Sequence, residues 1–383
     1  MSYDSQFTPE DCTGVHSAMT VGAGVQWGEA YLFAEKNNIT VRAHSGSDKA
    51  VGAAGGWLQG GGHSPLSNTM GLGVDRVYKV VTPDGKYRVA NECQNKDLFF
   101  ALRGGGGGTF GVVTEATILA SPPVVVQTFI LQFSLNRTLT QEMWSIMVNN
   151  SLQWAEDGWG GLSMAPVIVM VNPKLSKDAA RSLSSLIAFG ERLQSMGVPG
   201  LKLILTEFPS WGTFFDAFTR DFVATVGTSL ALTSRLISKS NFATPDKKKE
   251  LTAGLLATDA GTPGLIILMT TPASVPSSGK TSVTEAWRSS LYHVTTITPW
   301  SWNATKEEKS ARYKDASASM EHLRRITPDA AYLNEADTYE PNHEGDHLNT
   351  NGHGLRTEAE ILIQLPSGGH ITQSYCVSNE NSA

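Results

Sequence analysis

The sequence predicts a two-lobe α+β fold. Three observations carry that expectation: strand-like and helix-like stretches alternate through the first third, a double proline interrupts them at Ser121-Pro-Pro123, and a further series of apolar strands and amphipathic helices follows. Two prolines in a row support neither a helix interior nor a central strand, so a second lobe is expected to start there.

A chain of 383 residues can bury enough core for two lobes. Its net charge of −6, with 17% charged residues and no block of like charges, speaks against electrostatic capture of nucleic acid or an anionic membrane and points to a small-molecule partner. No apolar stretch is long enough to span a bilayer, and Met1 to Glu10 carries neither a basic nor an apolar signal-peptide region. The three cysteines, Cys12, Cys93 and Cys376, have no metal-type spacing and form no disulfide framework, although one pair could be bridged. Sequons begin at Asn38, Asn136, Asn149 and Asn303, which is compatible with a secreted or vacuolar protein without deciding it.

In the first lobe, Ala18 to Val25 reads as a strand. Trp27 to Asn37 reads as a helix with Ala30, Tyr31 and Ala34 on one face. Val74 to Thr82 and Lys86 to Ala90 read as a strand pair around Pro83-Asp-Gly85. Asn95 or Asp97 caps a short helix to Arg103, and Thr109 to Ala120 continues as a strand. Beyond the prolines, strands are expected at Val124 to Leu135, Leu162 to Val171, Leu201 to Leu205, Gly264 to Thr270 and Leu291 to Thr298. Helices are expected at Thr138 to Trp154, Lys177 to Met196 and Ala304 to Ile326, the last with Tyr313, Ala316, Met320 and Leu323 on one face.

Five consecutive glycines, Gly104 to Gly108, join an apolar helical turn (Asp97 to Arg103) to the β-branched run Val112-Val-Thr. A second glycine-dense block, Val51 to Val74, lies upstream. The glycines are not diluted with serine as in a linker, and they join elements that look buried, so a large polar ligand is expected to approach their backbone N–H groups.

Several motifs in order, Val51-Gly-x-x-Gly-Gly, Gly60-Gly-Gly-His63-Ser, Gly71-Leu-Gly-Val-Asp75 and Asn95-x-Asp-Leu-Phe-x-Ala-Leu-Arg-(Gly)5-x-Phe-Gly111-Val-Val-Thr, closely resemble the berberine-bridge-enzyme-like flavoproteins of the vanillyl-alcohol-oxidase (PCMH-type FAD-binding) class, in a fungal wording. The resemblance runs over residues 12 to 340. It implies the second half of an FAD lobe at 1–122, a substrate lobe of antiparallel sheet backed by helices at 123–328, a return to the FAD lobe at 329–342 and a divergent tail at 343–383. It also implies FAD as cofactor, O2 as reoxidant, and an oxidase that moves a hydride from a small organic substrate to flavin N5. A fungal secondary-metabolite substrate fits that picture, with the chanoclavine-forming step of ergot-alkaloid assembly as a narrower option. The cofactor-lining set it implies is Val51, Gly52, Gly55, Gly56, Gly61, Gly62, His63, Gly106, Gly107, Gly111 and Val112, with Tyr332 and Asn334 beside the reacting ring. No residue type or spacing identifies the catalytic base.

The resemblance has gaps. The segment of about a hundred residues that precedes these motifs in relatives, with the covalent histidine, is expected to lie outside this chain. His63 matches the second loop instead, as a pocket-wall or helix-start histidine. Ser47-Asp-Lys-Ala50 offers no second covalent cysteine. A chain that folds only in part and binds no flavin is therefore the non-enzymatic alternative. The tail holds His343-Glu-x-x-His347 with His353 six positions on, the ligand spacing of a zinc hydrolase. Pro341, Gly345 and Asp346 make a poor helix there, so a solvated tail without metal is expected.

Overall fold

The structure is a computed structural model and describes residues 1–41, 49–76, 86–174, 181–219, 229–327 and 330–341. In the first lobe β1 (Ser2–Phe7), β2 (His16–Gly22) and β3 (Glu115–Leu119) form an antiparallel sheet in that order. Helix α1 (Trp27–Lys36) buries Trp27, Ala30, Tyr31 and Ala34, the i, i+3, i+4, i+7 face that the sequence predicts. The Glu29 carboxylate accepts the Gln26 N–H at 3.1 Å at its start. Short helices α2 (Gly56–Gln59), α3 (Ser67–Met70) and α4 (Lys96–Leu102) connect the glycine-rich segments. Cys12 and Cys93 form a disulfide that ties the β1–β2 connection to the approach of α4.

The second lobe runs β4 (Val126–Gln132), α5 (Arg137–Asp157), β5 (Gly160–Met164), β6 (Val167–Asn172), α6 (Ser184–Ser195), β7 (Lys202–Phe208), α7 (Trp211–Thr219), β8 (Leu230–Ser238), α8 (Pro245–Gly261), β9 (Ile266–Met269), α9 (Ala286–Ser289), β10 (Ser290–Pro299) and α10 (Lys306–Arg324). Its strands make one antiparallel sheet in the order β7-β4-β6-β5-β9-β10-β8. Strand periodicity assigns its two faces. On β6, Ile168 and Met170 join a core with Met143 and Trp144 of α5, Leu186 of α6, Leu251 of α8 and Met320 of α10, whereas Val167, Val169 and Val171 join the core that holds Trp27, Tyr31 and the α7 aromatics. One face is thus backed by helices, and the other lies against the first lobe.

Several expectations need correction. The single strand expected over Leu162 to Val171 is the hairpin β5–β6, broken at Ala165-Pro166 because proline gives no ladder N–H. The strand expected over Thr109 to Ala120 keeps only its second half, since Gly111 at φ 149° holds a loop with Val112 exposed. Asn95 sits before α4 in the left-handed region and donates its side-chain N–H to the Val89 carbonyl rather than capping the helix. Lys86 to Ala90 is irregular and Gly73–Arg76 is a 3-10 turn. The rest of the expected strand pair, 77–85, lies outside the described residues, as do the start of the helix expected from Lys177 and the tail motif His343, His347 and His353. Strands β1 and β8 and helices α7 and α8 are additions to the sequence reading.

A buried ion network fastens the segment after α10. Arg235 of β8 donates to the Glu340 carboxylate at 3.0 Å with both side chains sealed from solvent, and Arg324 of α10 donates to Asp337 and Glu340. The Leu236 N–H also donates to the Ala330 carbonyl, so residues 330–341 are fixed to the substrate-lobe sheet where they cross to the glycine loops.

Candidate active site

The two glycine loops meet each other. The Gly106 N–H donates to the Gln59 carbonyl at 3.1 Å, and a Cβ added to Gly107 would lie 3.2 Å from the Gly56 Cα. The return segment docks on the same place. Asn334 Nδ2 donates to the Gly56 carbonyl at 2.8 Å and to the Tyr332 hydroxyl at 2.6 Å, and a Cβ on Gly60 would collide with the Asn334 amide at 2.4 Å. The structure therefore brings Gly56, Gly61, Gly62, His63, Gly106, Gly107, Tyr332 and Asn334 into one neighbourhood.

The glycines divide by what faces them. Gly62, at φ 76°, presses on Gly73 Cα and the Trp57 ring at 3.1 Å, and Gly61 and Gly106, also at positive φ, abut Val283 and Leu333; these three are packing positions. At Gly56, by contrast, no atom of the described residues lies within 4 Å of an added Cβ, and at Gly52 and Gly55 only the loop's own backbone comes that near, at 3.9 and 3.7 Å. Gly108, next to the exposed Gly107, is open in the same sense. Val51 is half-buried beside Gly52, Gly111 is buried and Val112 is exposed at the foot of β3. Gly52, Gly55, Gly56 and Gly108 thus present bare backbone, and the rest shape the loops.

Behind this backbone stands a wall of rings. His63, which follows the packed glycines, stacks on Trp287 at 5.7 Å and meets Tyr332 and His293 edge-on at 5.1 and 4.9 Å. Trp57 Nε1 donates to the His63 carbonyl at 3.1 Å and holds that stretch of backbone. His293 comes from β10, where it pairs in register with Leu236 of β8 and Leu268 of β9. Its neighbour Tyr292 points into the helix-backed core, so alternation turns His293 toward the loops. Glu335 completes the cluster: Oε1 lies 3.7 Å from His63 Nε2 and Oε2 lies 3.4 Å from His293 Nε2.

Electrostatics differ sharply within this group. Burial pushes the His293 imidazole down from 6.5 to about 3, so the ring is neutral near pH 7. Burial also works to raise Glu335, but His293, His63 and the Thr295 hydroxyl outweigh it and hold the carboxyl well below its usual range. Burial, reinforced by the charge on Glu335, raises the Tyr332 phenol, which stays protonated. Glu335, His293 and Trp287 were not among the residues singled out from sequence. Glu335 directly follows Asn334, and His293 is an imidazole within an apolar run; those were the available signals.

Known proteins sharpen the reading. No family profile matches the chain. An FAD-linked oxidoreductase of Aspergillus flavipes, ffsJ, is 35% identical over 383 residues, with 88% of this chain and 60% of that protein aligned. The FAD-linked oxidoreductase easE of Arthroderma otae is 44% identical over 169 residues, 43% of this chain and 27% of its own. Among solved structures, a VAO-type flavoprotein of Myceliophthora thermophila superposes with a TM-score of 0.80 at 24% identity, over 94% of this chain and 67% of its own. The chain is similar in sequence to fungal FAD-linked oxidoreductases, and it shares its fold with a VAO-type flavoprotein and with a BBE-like protein of Physcomitrella patens. It spans 60% of the length of ffsJ and 59% of the relative OXR2 of Pyricularia oryzae. FAD, the cofactor these relatives are named for, suits the bare face of Gly52, Gly55, Gly56 and Gly108, where no side chain stands between the backbone and an approaching dinucleotide. The same three-donor cluster brings two imidazoles and a carboxylate within 4.8 Å of one another. A metal-bound histidine almost always donates its second ring nitrogen to a partner, whereas His293 Nδ1 has no hydrogen-bond partner among the described residues.

Proposed function

We propose that this chain forms most of an FAD-dependent oxidoreductase of fungal secondary metabolism, taking a hydride from a small organic substrate and using O2 as reoxidant. The observation that carries it is the open backbone of Gly52, Gly55, Gly56 and Gly108 beside the ring-lined wall, in a chain 35% identical to an FAD-linked oxidoreductase. FAD, when bound, supplies the two-electron chemistry; the protein supplies position, hydrogen bonds and a dry wall. Val51, Gly52, Gly55 and Gly56 would hold it from one loop, and Gly107, Gly108, Gly111 and Val112 from the other. Asn334 ties Tyr332 to the first loop, and the Tyr332, His63 and Trp287 rings keep water from that side.

The match to easE supports the narrower, chanoclavine-forming reading, but it covers 43% of this chain whereas the match to ffsJ covers 88%. The favoured statement is therefore a small organic substrate of secondary metabolism. The test is direct: the purified chain, as isolated or after addition of FAD, acquires oxidised-flavin absorbance near roughly 450 nm. A colourless chain that takes up no FAD would overturn the reading in favour of a flavin-free remnant.

A further inference from the structure

The four sequons, at Asn38, Asn136, Asn149 and Asn303, fall into two structural pairs. A sequon is recognised through its asparagine amide together with the hydroxyl two residues later. Where folding draws that hydroxyl into the core the sequon is lost, and where both groups stay at a surface turn it is kept. At Asn38 the partner Thr40 is 3% exposed and its hydroxyl accepts the Val124 N–H. At Asn149 the partner Ser151 is 4% exposed, with its hydroxyl bonded to the Met147 carbonyl and the Tyr292 hydroxyl. At Asn136 and Asn303, by contrast, the asparagines and their partners Thr138 and Thr305 are all exposed. Asn136 caps α5 by accepting the Leu139 N–H at 3.1 Å, which uses Oδ1 and not Nδ2. Asn303 stands at the tip of a turn in which the Ala304 N–H donates to the Ser301 carbonyl at 2.9 Å.

Two further observations point the same way. Trp302, which shares the turn tip with Asn303, is 90% exposed, the most exposed large apolar side chain among the described residues. An indole has much apolar area to cover, and the C–H face of a pyranose is a flat surface of matching size. The Cys12–Cys93 bond has Cys93 exposed to any thiol reductant, and such a bond persists in an oxidising compartment. We propose that this chain passes through the secretory pathway and carries N-linked glycans at Asn303 and Asn136, with the first sugar of the Asn303 glycan packed on Trp302. The proposal stands apart from the flavin reading. In the transfer, Asn Nδ2 attacks C1 of the first sugar of a lipid-diphosphate-linked oligosaccharide, the donor used in that pathway. The Nδ2–C1 bond forms, the C1–O bond breaks with its electron pair leaving on the lipid diphosphate, and one amide proton is released.

The experiment uses the protein expressed from its own gene in a filamentous fungus. Peptide-N-glycosidase in heavy-oxygen water turns each glycosylated asparagine into a labelled aspartate, which peptide mass spectrometry locates. Label is expected at positions 136 and 303 and not at 38 or 149. Asn303→Gln and Asn136→Asp should each lose the mass of one glycan; the aspartate keeps the α5 cap, and the urea midpoint reports the fold of both variants. Removing the glycans from the folded protein should raise acrylamide quenching of tryptophan fluorescence in the wild type and leave Trp302→Phe unchanged. Absence of label at Asn303 or Asn136, equal label at Asn38 or Asn149, or protein recovered inside the cell with Cys12 and Cys93 as free thiols overturns the assignment. Equal changes in quenching for the wild type and Trp302→Phe overturn the packing on Trp302. Glycans on a chain that takes up no FAD would support this proposal and overturn the flavin reading alone.

Discussion

Alanine at Gly56 and alanine at Gly62 should have opposite effects, although both residues are glycines of one loop. At Gly62 the backbone lies at φ 76°, which costs an L-residue about 1–2 kcal/mol. The new methyl would also press on Gly73 Cα and the Trp57 ring at 3.1 Å, and Gly73 is backbone that cannot rotate away. Overpacking of that kind adds about 1–3 kcal/mol, so Gly62→Ala should destabilise by about 2–5 kcal/mol in urea unfolding. Gly56 is the first residue of α2, and no described atom lies within 4 Å of its added Cβ. There alanine only narrows the unfolded ensemble and should be neutral or stabilise by up to about 1 kcal/mol. Yet the same methyl would stand on the face assigned to the dinucleotide. FAD affinity, followed by quenching of flavin fluorescence, should fall at least tenfold, equivalent to about 1.4 kcal/mol. Gly56→Ala that binds FAD as tightly as wild type would refute the division of the loop into packing and cofactor-facing glycines. Gly62→Ala with an unchanged urea midpoint would refute the packing half.

Three further outcomes follow from the geometry. Glu340→Ala removes the carboxylate shared by Arg235 and Arg324 and should cost about 3–5 kcal/mol by chemical denaturation, whereas Arg312→Ala, whose pair with Asp315 is half-exposed, should cost under about 1 kcal/mol. Reducing the Cys12–Cys93 bond releases a loop spanning 81 positions and should lower stability by about 4.5 kcal/mol on chain-entropy grounds, measured as the shift of the urea midpoint with and without reductant. For pH, the folded state holds His293 deprotonated from 6.5 down to about 3, so the unfolded chain binds the extra proton in that window. Stability should therefore decline as pH falls below about 6.5, with this residue contributing a slope of at most about 1.4 kcal/mol per pH unit. Glu335 acts with the same sign lower down, since its depressed carboxyl stabilises above its unfolded range and is lost toward its folded value. His293→Asn should flatten the upper part of this decline, and an unchanged slope would contradict the buried neutral imidazole.

Local pattern reached far in this chain, and it stopped where partners are distant in sequence. The apolar faces of α1 and α10 follow helical spacing and were readable, because each needs only its own residues. Strand β8 was not, because Arg235 interrupts its apolar run. That charge is tolerated through Glu340, 105 positions away, which no window of sequence reveals. Helix α7 is rich in aromatic residues of modest helix propensity and is held by packing: Phe215 lies edge-on to Tyr31 at 4.4 Å. Helix α8 carried legible signals, Thr244 as N-cap accepting from Lys247 and Pro245 at the first position. At the site, the glycine loops and the Tyr332–Asn334 pair could be read as motifs. The cluster with His293 could not, since it depends on which face of β10 looks toward the first lobe.

That face is decided by register. Tyr292 pairs with Ile237 and lies in the helix-backed core, while His293 pairs with Leu236 and lies with the loops, so a slip of one residue would exchange a phenol for an imidazole beside Glu335. Arg235, one position before Leu236, points to the opposite face and reaches Glu340, five residues after Glu335. The Leu236 N–H meanwhile holds the Ala330 carbonyl, five residues before Glu335. The return segment is thus pinned to β8 on both sides of Glu335, and β8 is pinned in register to β10. An ion pair outside the ring cluster therefore helps to hold Glu335 opposite His293. This is why substitutions at Arg235 should disturb the chemistry of the site as well as the stability of the fold.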